Sequence, residues 1–169
     1  MSTLSISLGQ WSDKGQKPSN QDFYGACLPD DTQRRQKGIA VALADGISSS
    51  AVSRDAAEAA VGGFLTDYYA TPAPWSVKSS AQRVLQATNA WLYAQTRQSQ
   101  YRYDMDRGYV CTLSAMVIKS ATAHLFHVGD CRIYQLTGKS LEPLTEDHRF
   151  WASREVSHLS RAMGASQHL

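Results

Sequence analysis

The sequence predicts an α+β fold in which two long helices cover one face of mainly antiparallel strands. Three observations carry that prediction. Two stretches, 50–70 and 76–98, place apolar or small residues every three to four positions. Short β-rich runs bounded by turn residues lie before and after them. These runs follow one another without the strand-helix-strand alternation that a parallel sheet needs.

Taken in order, Leu4, Ile6 and Leu8 alternate with polar neighbours and read as a half-buried strand. Lys14 to Asn20 is loop, punctuated by Gly15 and Pro18. Asp22 to Leu28 reads as a strand, Pro29 to Lys37 as a polar hairpin connection, and Gly38 to Ala44 as the buried partner strand. The first helix carries Ala56, Ala60, Gly63, Phe64 and Tyr68 on one face, with Ser50 or Ser53 as its cap. Thr71 to Pro74 ends it. The second starts near Ser76, runs to about Gln98 and aligns Val77, Ala81, Val84, Leu85, Thr88 and Leu92. Ser99 to Gly108 is a polar connector containing Tyr101-Arg102-Tyr103, read as loop on the domain surface. Strands follow at Val110 to Lys119, Ala123 to Val128, Arg132 to Leu136 and Ser140 to Leu144, the last two joined by Thr137-Gly138-Lys139. Phe150 to Ser160 reads as a short helix. The four tryptophans, Trp11, Trp75, Trp91 and Trp151, read as packing anchors.

Composition narrows the function. At 169 residues, 43% hydrophobic and 19% charged, the chain is sized for one globular domain spanning 1–169. A net charge of +2 with scattered Lys and Arg is too small to imply a nucleic-acid partner, and none is expected. The one tight basic cluster, Arg34-Arg35-Gln36-Lys37, reads as a solvated hairpin tip. No apolar stretch reaches the roughly 18 residues of a membrane span. Met1-Ser2-Thr3-Leu4-Ser5 has no signal-peptide character, and three unpaired cysteines, Cys27, Cys111 and Cys131, fit reduced thiols in the cytoplasm.

The chemistry concentrates in aspartates at strand ends. Asp45-Gly46 closes the apolar run Ile39 to Leu43 and precedes the turn Ile47-Ser48-Ser49-Ser50. Gly129-Asp130 repeats that design between two later strands, and Asp22 follows Asn20-Gln21. Each alone is explained by an ordinary turn, with Arg132 pairing Asp130. Together they resemble an oxygen-ligand site for Mg²⁺ or Mn²⁺, because hard cations take carboxylates, carbonyls and water. His124 and His127 do not make a zinc pair, since three residues apart on a strand they point to opposite faces. His148 reads as part of a solvated turn. No nucleophile elbow, Walker loop or dinucleotide fingerprint is present.

Six segments in order resemble the PP2C-type metal-dependent protein phosphatases. They are Asn20-Gln21-Asp22, Ala44-Asp45-Gly46, Cys111-Thr112-Leu113, Val128 to Tyr134, Leu144 to His148 and Arg161-Ala162-Met163-Gly164. Within that family the chain is most similar to the phosphatase segment of bacterial proteins that also carry a serine/threonine kinase. The resemblance implies an α-β-β-α sandwich with two Mn²⁺ or Mg²⁺ ions at one end of the sheets. By that likeness Asp45 bridges both metals, the Gly46 carbonyl ligates one, Asp22 acts directly or through water, and Asp130 holds a third, weaker ion. Lys17 stands near the family's phosphate-gripping arginine. A metal-activated hydroxide would then attack a phosphoserine or phosphothreonine of a protein substrate, the product of a partner kinase.

Departures from the family pattern accompany the likeness. Gln21 replaces a common Glu, Lys17 is a point charge where Arg makes a two-pronged contact, and Ile47 cannot replace the histidine general acid of some members. The family pattern continues past Gly164 with further acidic metal ligands and strands, so the chain is expected to be a partial domain, truncated at its C-terminus. Two functions follow as expectations: a serine/threonine phosphatase, or a catalytically incompetent regulatory or interaction module that keeps the fold. A third, a purely structural domain, requires every aspartate to be a turn residue.

Overall fold

A computed structural model describes residues 4–169; Met1 to Thr3, part of the start that the sequence reads as lacking a targeting signal, lie outside them. Four strands, β1 (Asp22–Cys27), β2 (Ile39–Asp45), β3 (Leu113–Lys119) and β4 (Thr122–Val128), form one antiparallel sheet in the order β1-β2-β3-β4. Two hairpins follow, β5 (Tyr134–Thr137) with β6 (Ser140–Pro143) and β7 (Arg149–Trp151) with β8 (Ser157–Leu159). Three helices complete the fold: α1 (Asp31–Lys37), α2 (Ser53–Ala70) and α3 (Val77–Gln98). The mixed architecture with antiparallel sheets and two long helices is the one the sequence predicts.

Period-two alternation decides which sheet face is covered. Ala40, Ala42 and Ala44 of β2 and Leu113, Ala115 and Val117 of β3 are buried against Val61, Phe64 and Tyr68 of α2. Small residues on both sides, Ala56, Ala57 and Ala60 on the helix and the alanines of β2, let α2 approach the sheet closely. The opposite face carries Tyr24, Val41, Leu43 and Met116, which line an open apolar cavity of about 310 Å³ with Trp11 and Ile133. No helix among the described residues is long and apolar enough to cross a membrane.

The second helix begins where the sequence places it. Ser76 is its cap, and its hydroxyl accepts from the Ser79 amide at 3.1 Å. Ser76→Ala should cost about 1 kcal/mol in urea denaturation, the usual worth of such a cap. A change under about 0.3 kcal/mol would show that water replaces the hydroxyl.

Several expectations are corrected. Leu4 and Ile6 are half-buried and their serine neighbours exposed, yet no strand forms there, because no ladder partner lies alongside among the described residues. Pro29 to Lys37 is not a hairpin connection: the Asp30 side chain accepts from Gln33 N at 2.8 Å and caps α1. Neither Ser50 nor Ser53 caps α2, whose cap position is Val52. The Ser50 hydroxyl instead accepts from Val52 N and donates to the carbonyls of Arg107 and Gly108, while Ser53 Oγ donates to Ser50 O. Phe150 to Ser160 is the β7-β8 hairpin, not a helix. The tryptophans are not buried anchors, being between 40% (Trp75) and 85% (Trp11) exposed.

Candidate active site

Antiparallel register brings the first two carboxylates together. Asp22 opens β1 and Asp45 closes β2, and the two are paired residues across the ladder, so both side chains leave the same face. Thr112, just ahead of β3, holds the Asp45 backbone on two sides. Asp45 N donates to Thr112 Oγ1 at 3.0 Å, and Thr112 N donates to Asp45 O at 2.8 Å. Gly46 N donates to Gln21 O at 3.1 Å, and Gln21 Nε2 reaches Ser50 O and Ser53 Oγ, both at 2.9 Å. Gln21 therefore ties β1 to the start of α2. A Cβ on Gly46 would stand 2.7 Å from the Ser53 backbone, so only glycine fits beneath the helix start.

The electrostatics of Asp45 are unusual. Its Oδ1 is buried and has no hydrogen-bond partner. Burial first, then the hydrogen bond and charge of Asp22, push its carboxyl up to about 6; the Lys17 charge opposes the rise and Asp130 adds to it. Lys17 Nζ donates to Ser48 Oγ at 3.3 Å, on the turn after Gly46. The structure thus gathers Asp22, Asp45, Gly46 and Lys17 at one end of the sheet.

Asp130 lies in the same field, but its Oδ2 is ion-paired with Arg149, 3.0 Å from Nε. Arg132, which the sequence pairs with Asp130, grips Asp147 instead, at 2.8 and 2.6 Å, and holds that carboxyl below the usual range. His148 does more than shape a solvated turn. Its Nδ1 accepts from Gly129 N at 3.1 Å and its amide donates to Gly129 O at 2.8 Å, fastening the turn that carries Asp130. Gly129 has φ 109°, and a Cβ there would stand 2.6 Å from Thr112. Thr112 Oγ1 also meets Cys131 Sγ at 2.9 Å, so one threonine links both acidic turns. Thr112 and His148 lie within Cys111-Thr112-Leu113 and Leu144 to His148, segments that the sequence marks without giving Thr112 a role and with His148 read only as a solvated turn; nothing in the sequence marks Arg149.

The cysteines are all free, and burial pushes the Cys131 thiol up to about 11 and Cys111 up as well, which makes both poor nucleophiles. His127 bonds Ser114 Oγ at 2.9 Å and Glu146 O at 3.1 Å, on the sheet face opposite to His124.

Among the described residues no three His, Cys, Asp or Glu side chains are grouped closely enough to hold a metal by themselves. An orphaned carboxylate oxygen beside a second carboxylate nevertheless fits Mg²⁺ or Mn²⁺. Mg²⁺ keeps several waters and usually binds through one or two carboxylates rather than an all-protein cage.

Residues 12–167 match the sequence model of protein phosphatase 2C, and the chain belongs to that family. No curated protein matches it. Among solved structures it is similar to the serine/threonine phosphatase Stp1 from Staphylococcus aureus, with TM-score 0.77 and 16% identity over 100% of this chain and 72% of that one. A bacterial serine phosphatase gives TM-score 0.73 and 16% identity, covering 94% of this chain and 68% of the other. The catalytic domain of the phosphatase PstP, in complex with two manganese ions, gives TM-score 0.64 and 21% identity over 88% of this chain and 62% of that domain. At these identities the likeness is one of fold. The chain spans 62% to 72% of the length of these relatives.

Proposed function

We propose that this chain carries a site for metal-dependent hydrolysis of phosphoserine and phosphothreonine in proteins, in the cytoplasm, on the products of a serine/threonine kinase. The observation that carries the reading is the buried, unpartnered Asp45 Oδ1 beside Asp22. In this reading Asp45, Asp22 and the Gly46 carbonyl hold Mn²⁺ or Mg²⁺ in a binuclear centre, and Asp130 serves a third, weaker position. Bound there, the ions would lower the pKa of a water and offset phosphoryl charge. Thr112 keeps the Asp45 backbone fixed, so the carboxylate need not reorganise. Lys17, steadied by Ser48, supplies the positive charge that draws the phosphate to the acidic end of the sheet.

The test is phosphate release from a small phosphate ester and from a phosphoserine peptide in Mn²⁺, with and without chelator. Chelator-sensitive release supports the enzyme. No release, with no Mn²⁺ binding by calorimetry, overturns it in favour of an interaction module.

A further inference from the structure

The connector between α3 and β3 is bolted to the rim of this site and presents unspent cationic groups. Ser49 Oγ donates to Asp106 O at 2.5 Å, and Ser50 Oγ donates to the carbonyls of Arg107 and Gly108. Both serines lie on the turn that follows Asp45-Gly46 and carries Lys17's partner Ser48. Tight turns, Asp104 N to Tyr101 O, Arg107 N to Asp104 O and Gly108 N to Met105 O, keep the connector compact.

On that frame the Arg102 guanidinium lies 4.9 Å from the Tyr103 ring centre and that of Arg107 lies 5.8 Å from Tyr101. Such pairs occur roughly once per 70–80 residues; here two fall within Tyr101 to Arg107. Tyr103 is 84% exposed, so the pairing does not serve the core. Stacking uses the face of a guanidinium and leaves its edge N–H groups free for a carboxylate. Neither Arg102 nor Arg107 donates a side-chain hydrogen bond to a carboxylate or carbonyl among the described residues.

We propose that this connector is a docking lip for acidic residues flanking the phosphorylated side chain of a protein substrate. The inference rests on the phosphatase reading for what sits at Asp45, and the lip supplies selectivity beside it. A nucleic acid fits less well. Asp104 and Asp106 offset the charge of Arg102 and Arg107, so the connector has no net positive field to hold a continuous phosphate backbone. Recognition rests on the individual guanidinium edges, each of which can meet a single carboxylate.

The test is fluorescence anisotropy in Mn²⁺ with two peptides that carry a non-hydrolysable phosphonate analogue of phosphoserine, one flanked by Glu and the other by Gln. Wild type should bind the Glu-flanked peptide about 5-fold more tightly, and the double variant Arg102→Ala, Arg107→Ala should bind both alike. Equal binding of both peptides by wild type, an undiminished preference in the double variant, or tighter binding of a single-stranded oligonucleotide through the same arginines overturns the lip. Hydrolysis of a small phosphate ester separates the two claims, because it should be unchanged in the double variant. Its absence in wild type, with the peptide preference intact, sinks the phosphatase reading and leaves the lip standing.

Discussion

Asp45→Asn should make the metal-free protein more stable at pH 7 and at the same time abolish its response to Mn²⁺. The sign follows from the raised carboxyl. Unfolded, Asp45 titrates near 3.8, and in the fold near 6, so the folded state holds the proton more tightly. The stability tied to that proton is complete below pH 4 and is lost as pH rises to about 6. Above that window ionised Asp45 opposes the fold, because burial and Asp22 both disfavour its charge. An amide removes the charge and offers Asp22 a donor. The gain is roughly 1–3 kcal/mol, discounted because the site is only partly buried.

Mn²⁺ at about 100 times its dissociation constant should stabilise wild type by about 2.7 kcal/mol. The asparagine variant should show almost none of this and no ester hydrolysis. Thermal melts from pH 4 to 7, with and without Mn²⁺, read both effects, and the wild type-minus-variant difference cancels carboxyls such as Asp147 that shift the other way. Identical melts for the two proteins at every pH, with an unchanged metal response, would remove Asp45 from the site.

Periodicity was informative wherever a face is buried against a neighbour. The stripe from Val77 to Leu92 sits on the core side of α3, and Ser76 caps where its chemistry predicts. In the apolar run before Asp45 only the alternate residues Ala40, Ala42 and Ala44 do so, while Val41 and Leu43 lie on the open face of the sheet. Short elements were opaque for a physical reason. The seven residues of α1 have no apolar stripe to show, and only the Asp30 cap announces the helix. The β7-β8 hairpin buries almost nothing, so no alternation marks it. The acidic residues were legible as types, while their roles depended on pairing that sequence does not contain. Arg132 and Arg149 are both plausible partners for Asp130, and only the fold sends Arg132 to Asp147.

Lys37 gives the largest stability effect expected away from the site, and it is the residue that composition hides best. It belongs to a basic run that reads as solvated, yet it is only 3% exposed. Its Nζ donates to Thr71 Oγ1 and Pro72 O at 2.8 Å and to Ser80 Oγ at 3.0 Å, which uses all three of its donors. The same group lies 5.7 Å from the Tyr68 ring centre, and Tyr68 returns a hydrogen bond to Lys37 O at 2.8 Å. One ammonium thus joins the end of α1, the end of α2 and the first turn of α3. No carboxylate pairs with it among the described residues, and burial lowers its pKa.

Lys37→Ala should cost about 2–4 kcal/mol, because it empties packed volume and strands the Pro72 carbonyl. Lys37→Met should cost less: its chain refills the space, and Thr71 and Ser80 already bond each other at 2.8 Å. Arg35→Ala, two residues away and exposed, should stay within about 0.5 kcal/mol. Urea denaturation of the three variants checks the ranking. If alanine at 37 is as harmless as alanine at 35, the three acceptors find water easily, and the lysine is a surface charge after all.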